Sequence, residues 1–284
     1  MPPASIATAA RGGPVSFDFA GFGRAKKQIQ IMTSAQPPRL DIVIPVYNEG
    51  GNILRTLGAL SRAVTTPFRV LICYDREDDD TLPAVRDNRD AIGTMDIAFV
   101  RNKDRGAHGA VVTGFAASSA PFALVFPADD DYNATIIDAM VRQAEAGCDI
   151  VCASRFMPGG SMVGCPWLKA TLVRAGNFTL HHIARLPTRD ASNGFRLFSR
   201  RVMDDILIES DRGFCYSIEL LVKAHRLGWR IGEVPANWFE RTQGTSRFQV
   251  IKWLPMYLRW YRYAFATTYL MRSPRHVRMK ARAA

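Results

Sequence analysis

The chain has 284 residues, 48 % apolar and 22 % charged, a balance that supports one sizeable core and excludes both a fibrous repeat and disorder throughout. A formal net charge of +11 points either to an anionic partner (a phosphate-bearing substrate, an anionic membrane face, nucleic acid) or to a solvated surface with a basic tail. Five cysteines, odd in number and without a CxxC pair, exclude a disulfide framework and a zinc site and suit a reducing compartment.

Residues 1–38 are rich in Ala, Gly, Pro, Ser and Gln, end in Gln36-Pro37-Pro38 and show no periodicity, so a flexible N-terminal extension is expected there. The N-terminus lacks the apolar core of a signal peptide. No stretch approaches ~18 uncharged apolar residues, so no transmembrane helix is expected. Gly21-Phe22-Gly23 follows no strand and is not a dinucleotide loop.

From Leu40 the pattern changes. Short β-branched apolar runs occupy Leu40–Val46, Phe68–Tyr74, Asp96–Val100, Phe122–Phe126 and Asp149–Ala153. Helical spacing fills the intervals at Asn52–Val64, Leu82–Ala91, Ala107–Ser118 and Ala134–Ala146. This alternation predicts βαβ units and an α/β domain over 39–249 with a mostly parallel, buried sheet flanked by helices. In such sheets ligands bind beyond the carboxyl ends of the strands. Polar clusters stand there: Tyr47-Asn48-Glu49, Asp75, Asp129–Asp131 and Arg155. Asn48 also suits a cap for the helix that follows.

The last segment, 250–284, is amphipathic and basic. Leu254, Tyr257, Leu258, Tyr261, Phe265 and Tyr269 share one predicted helix face, with Lys252, Arg259 and Arg262 opposite, and Pro255 near the start. Such a helix suits a membrane interface, or it docks on the protein's own core. Arg and Lys repeated from Arg272 to Arg282 would favour anionic headgroups.

Three consecutive aspartates repel one another unless a cation sits among them, a solvated turn being the plainer reading. Hard ions such as Mg²⁺ or Mn²⁺ take oxygen ligands and bridge carboxylates to a diphosphate. Asp129 and Asp131, in an extended turn, could face one ion. Arg155, Lys169, Arg174, Arg196, Arg241 and Arg247 offer cations for phosphate oxygens, although singly such residues are usually surface ion-pair partners. His108, His181 and His182 show no metal spacing and read as structural or surface residues. No aromatic-interleaved basic platform appears on the strands, so no nucleic-acid partner is expected.

The motifs, in chain order, are Ile44-Pro45-Val46-Tyr47-Asn48-Glu49; Arg105-Gly106-Ala107-His108-Gly109 with Gly114; Phe126-Pro127-Ala128-Asp129; and Ala153-Ser154-Arg155-Phe156. Ser192-Asn193-Gly194-Phe195-Arg196-Leu197, Ile231-Gly232-Glu233-Val234-Pro235, and Arg241 with Gly244-Thr245-Ser246-Arg247 complete the set. With these, Leu40 to about Phe248 resembles the family 2 glycosyltransferases of GT-A fold, nearest the dolichol-phosphate mannose synthase and polyprenyl-phosphate glycosyltransferase branch.

The resemblance implies a nucleotide sugar bound across the strand ends. Pro45, Tyr47, Glu49 and Asp75 would hold the nucleoside, with Arg241 and Arg247 near the donor. Asp129, Asp131, Arg155 and Arg196 would be catalytic, and Arg155, Lys169 and Arg174 would face an acceptor phosphate. Glu219 would orient an arginine or a sugar hydroxyl. The sequence departs from the family at Pro127, where the first acid of Asp-x-Asp is usual, and at Tyr74, which replaces one of two adjacent acids. The metal pair therefore shifts to Asp129 and Asp131, with Asp130 assisting. The expected activity is metal-dependent, inverting transfer of a hexose from a GDP- or UDP-sugar to a polyprenyl or dolichyl phosphate. The protein would sit in the cytoplasm, peripheral at the membrane face through 250–284. A glycan, small-molecule or protein acceptor is one alternative reading, and a sugar-nucleotide-binding or membrane-docking protein with weakened turnover is another.

Overall fold

The computed structural model describes residues 37–239, 250–271 and 273–281, apart from the side chains of 250–254. The expected extension at 1–38 lies outside these residues but for its last two. The five apolar runs form strands β1 (Leu40–Pro45), β2 (Phe68–Tyr74), β3 (Ile97–Arg101), β4 (Phe122–Val125) and β5 (Ile150–Ser154). Further strands are β6 (Ser161–Val163), β7 (Arg196–Ser199), β8 (Ile231–Pro235) and β9 (Asn237–Phe239). The helices are α1 (Gly50–Ala63), α2 (Thr81–Arg86), α3 (Arg89–Ile92), α4 (Gly106–Ala117), α5 (Ile137–Glu145), α6 (Trp167–Phe178), α7 (Arg200–Asp205), α8 (Cys215–Arg226) and α9 (Val250–Tyr269).

Seven strands form one sheet in the order β3-β2-β1-β4-β7-β5-β8. β7 runs antiparallel to both its neighbours and every other pairing is parallel. β6 and β9 pair separately. The first three strands are laid down in one direction from β1, and β4 returns to its other side. This reversal opens a crevice at the carboxyl ends of β1 and β4, where open α/β sheets bind ligands.

Alternation decides the layers. Leu40, Ile42 and Ile44 of β1 join Val70 and Ile72 of β2 on the face covered by α1 and α5, through Ile53, Leu57, Ile137 and Met140. Val43, Leu71 and Cys73 point the other way, against Val111 and Phe115 of α4. Period-two side chains on a strand buried on both faces give this split, and explain why the runs are continuously apolar. At Gly114 a Cβ would collide with Val43 Cγ1, so glycine there lets α4 lie close on the sheet.

The C-terminal helix is docked on the protein's own core, the second of its two readings. Trp260 and Ala264 are fully buried beside α8 residues such as Leu220 and Leu221. Arg226 of α8 donates to the Tyr263 carbonyl and to Thr267 Oγ1, each at 2.9 Å. Tyr257, Tyr261 and Phe265 are only half-buried, while Leu258 and Tyr269 turn outward. The apolar stripe is thus rotated from the one that spacing suggested, and the large buried anchor is Trp260. Truncating it leaves a cavity. Trp260→Ala should cost about 3–5 kcal/mol of stability in urea unfolding, whereas an unchanged midpoint would mean that α9 contributes little to the fold.

Candidate active site

Backbone donors of the turn after β1 all point at one neighbouring loop. Asn48 takes a left-handed φ of 54°. Its N–H donates to Asp79 Oδ2 at 3.1 Å, that of Glu49 to Thr81 Oγ1 at 2.9 Å and that of Gly50 to Asp80 Oδ1 at 2.9 Å. Asp79, Asp80 and Thr81 therefore fix the turn that carries Tyr47 and Glu49. Sequence reasoning missed them, although an acidic run directly after the second strand was the available signal. Asn48 does not cap α1: the N-cap is Glu49, which accepts from Asn52 Nδ2 at 2.8 Å. Pro45 closes β1, and exposed Tyr47 lines a cavity of about 170 Å³ with Asn48, Arg76, Asp78 and Asp79. Asp75, at the end of β2, accepts from Asn102 Nδ2 at 2.6 Å and from the Gly106 N–H at 2.8 Å. That second bond holds the start of α4 against the strand ends.

The three aspartates after β4 have different surroundings. Asp130 is buried and accepts from Asn133 N–H at 2.9 Å, Tyr132 N–H at 3.3 Å and Asn133 Nδ2 at 2.6 Å. Asn133 Nδ2 also donates to the Asn237 carbonyl at 2.8 Å, and Asn237 N–H donates to Asn133 Oδ1 at 2.9 Å. Burial pushes the Asp130 carboxyl up to about 6 despite these donors. Both oxygens are used inside the acidic loop, which Asn133 in turn ties to β9, so Asp130 is a strut beside Asp129 and Asp131. Asp131 is exposed, its Oδ2 3.9 Å from Arg55 Nε. Asp129 is half-buried directly beyond the strand end. Among the described residues no three His, Cys, Asp or Glu side chains gather into a complete metal site. The donor chemistry still suits a Mg²⁺-type ion, which needs only one or two protein carboxylates when a diphosphate supplies further oxygens.

Arg155, after β5, is oriented by a fully buried carboxylate. Its Nε donates to Asp190 Oδ2 at 2.7 Å, and its Nη2 to Asp190 Oδ1 at 3.0 Å and Ser192 Oγ at 2.8 Å. Burial by itself would raise the Asp190 carboxyl; the Arg155 charge and the surrounding donors outweigh it and hold the group below the usual carboxylate range. Arg155 and Arg174 line one cavity of about 850 Å³, together with Arg189, Phe178, His181 and His182. Asp190 was not singled out from the sequence, although an acid two positions ahead of Ser192-Asn193-Gly194 suits such a turn.

Residues 41–207, more than half of the chain, match Glycosyl transferase family 2. The chain belongs to that family. The polyprenol monophosphomannose synthase of Mycolicibacterium smegmatis is 26 % identical over 213 residues, covering 72 % of this chain and 79 % of that protein. Glycosyltransferase AglD of Haloferax volcanii is 27 % identical over 238 residues; the match spans 81 % of this chain and 37 % of AglD. The glucosyl-3-phosphoglycerate synthase of Mycobacterium tuberculosis, solved with Mn²⁺, uridine diphosphate and glucosyl-3-phosphoglycerate, superposes with a TM-score of 0.55 at 16 % identity. That match covers 81 % of this chain and 78 % of the other. The shared architecture is the α/β GT-A fold.

In this glycosyltransferase Pro45, Tyr47 and Glu49 lie at or after the carboxyl end of β1, Asp75 after that of β2 and Asp129 after that of β4, while Arg155 and Arg174 both line the larger cavity. Three expectations change. Arg196 is fully buried and donates to the Asp190 carbonyl at 3.1 Å and to the Ser217 carbonyl. It supports the loop that aims Arg155, so it is not in reach of a substrate. Lys169 lies over the Trp238 ring at 5.1 Å and does not line the cavity. Glu219 is buried, accepting from Lys223 Nζ at 2.7 Å and from the Glu209 and Ser210 N–H groups, so it braces α8 against the 207–210 segment instead of meeting an arginine or a sugar. Arg241 and Arg247 lie outside the described residues. Because Asp190→Asn leaves Arg155 beside a neutral partner in a dry setting, it should cost about 3–5 kcal/mol in chemical unfolding; a loss below about 1 kcal/mol would place this pair with ordinary surface bridges.

Proposed function

We propose that this glycosyltransferase transfers a hexose from a GDP- or UDP-sugar to a phosphate monoester, specifically a polyprenyl phosphate, with inversion. The observation that carries the reading is the cavity lined by Arg155 and Arg174, together with exposed apolar side chains on α6. Trp167, Leu172 and Phe178 are 78 %, 65 % and 60 % exposed. The arginines suit a phosphate and the apolar side chains suit the lipid chain attached to it. Support comes from the polyprenol monophosphomannose synthase among the relatives and from the phosphate-bearing ligands of the structural neighbour.

Tyr47, Glu49 and Asp75 would hold the nucleoside: carboxylates accept from ribose hydroxyls and base N–H groups, and the ring offers a flat apolar face. Asp129 and Asp131 would hold Mg²⁺ or Mn²⁺, which when bound neutralises charge on the diphosphate leaving group. Arg155, aimed by Asp190, would align the acceptor. One acceptor phosphate oxygen bonds to the anomeric carbon as the bond from that carbon to the diphosphate oxygen breaks. The phosphate is already anionic near neutral pH, so alignment replaces a general base. No helix among the described residues is long and apolar enough to cross a membrane. A peripheral contact would use the exposed apolar side chains of α6 and the end of α9, where Tyr269, Leu270 and Met271 are exposed.

Incubation with polyprenyl phosphate and labelled sugar nucleotides should move label into the organic phase; label kept in water on a soluble phosphate would favour the small-molecule acceptor. Transfer from no donor to any phosphate would end the proposal. Asp129→Ala should lower kcat by about 10²–10³-fold or more, and Asp131→Ala should raise the metal concentration needed for half-maximal rate. Equal, mild effects of the two would count against the shifted metal pair. Trp167→Ser with Leu172→Ser should weaken binding to liposomes containing anionic lipid, and unchanged binding would remove α6 from the contact.

A further inference from the structure

The helix that begins as α6 ends in a π turn, Thr179–Ile183. The Ala184 N–H reaches back to the Thr179 carbonyl at 2.9 Å, and Thr179 Oγ1 is bonded to the Tyr261 hydroxyl of α9. Here His181 and His182 both line the 850 Å³ cavity, with ring centroids 4.6 Å apart. Single π turns inside helices are often functional. His181 Nδ1 lies 2.9 Å from the Leu186 carbonyl oxygen, which can only accept, so Nδ1 carries a proton and Nε2 is left for a ligand.

Charge gives the pair a task. Of the three arginines on the cavity, Arg155 is bonded to Asp190 and Arg189 to Glu233. Among the described residues Arg174 has no ion pair and no carboxylate lines the cavity. The nearby tyrosines of α9 bond elsewhere, Tyr261 to Thr179 and Tyr269 to the Ile183 carbonyl, and exposed Arg185 follows the π turn. One uncompensated guanidinium faces a phosphate monoester that carries about −1.5 to −2 at neutral pH. The two imidazoles are the remaining lining groups able to supply the missing positive charge.

We infer that His181 and His182 join Arg174 in binding the phosphate monoester, one imidazole taking up a proton as the dianion enters. The inference rests on reading this cavity as the acceptor site. The histidines position the anion and take no part in the bond exchange.

Calorimetry on the full chain tests it, with inorganic phosphate as probe in two buffers of different ionisation enthalpy, and farnesyl phosphate in detergent micelles as a second arm. Phosphate should bind with net proton uptake. His182→Gln should weaken binding about ten-fold, the loss expected for one charge-assisted hydrogen bond. The double variant His181→Gln/His182→Gln should lose the proton uptake, while its affinity for UDP or GDP with Mn²⁺ stays unchanged and reports an intact fold. Tighter binding of farnesyl phosphate than of inorganic phosphate assigns the anion to a lipid, and equal affinity assigns it to a soluble ester. Binding of neither probe, or wild-type affinity and proton uptake in the double variant, overturns the inference. Histidine-dependent phosphate binding without sugar transfer would instead defeat the proposed reaction and leave this site standing.

Discussion

The buried carboxylate of Asp190 is the contact on which the second half of the site depends. It accepts from Arg155 through both oxygens and from the backbone N–H groups of Arg155, Ser192 and Asn193. Arg196 grips its carbonyl from below. An arginine with this many fixed partners presents its remaining surface to the cavity in one orientation. That rigidity has a structural cost, since an ion pair removed from water gains only when the remaining donors and acceptors are matched. Here they are, which is why the chain can place an arginine at the end of β5 without leaving it to wander.

The first half of the site is held by acids of a different kind. Asp79, Asp80 and Asp130 spend their oxygens on backbone N–H groups of turns, and so shape the loops that carry Tyr47, Glu49, Asp129 and Asp131. A run of aspartates is thereby divided: the buried Asp130 builds the loop, while Asp129 is half-buried and Asp131 exposed beside it. Asn133 extends this bracing to β9 through its paired bonds with Asn237. The acidic loop and the small β6–β9 sheet are thus one bonded unit.

The basic excess is distributed in the same spirit. Arg69, Arg155, Arg189 and Lys223 are neutralised by Asp41, Asp190, Glu233 and Glu219. Arg174, on the exposed helix beside the large cavity, is not paired among the described residues. Unpaired charge and exposed aromatic surface coincide on α6. A surface of this type suits the proposed acceptor, which is anionic at one end and apolar at the other.

The sequence by itself determined the α/β class, the strands and their burial on both faces, and the strand-end positions of Tyr47, Asp75, Asp129 and Arg155. Each follows from local periodicity and from the rule that parallel sheets bind at their carboxyl edge. Tertiary structure alone decided which acids brace the loops, because hydrogen bonds across 31 positions (Asn48 to Asp79) or 104 positions (Asn133 to Asn237) leave no mark on local pattern. Arg196 reads as a candidate catalytic arginine until its burial is known. His181 and His182 read as structural or surface residues until the tertiary structure places both on one cavity. On α9 the helical period was legible, but the stripe facing inward was chosen by α8, whose packing selected Trp260 and Ala264. Residue spacing sets the faces of an element; the neighbouring element selects which face is buried.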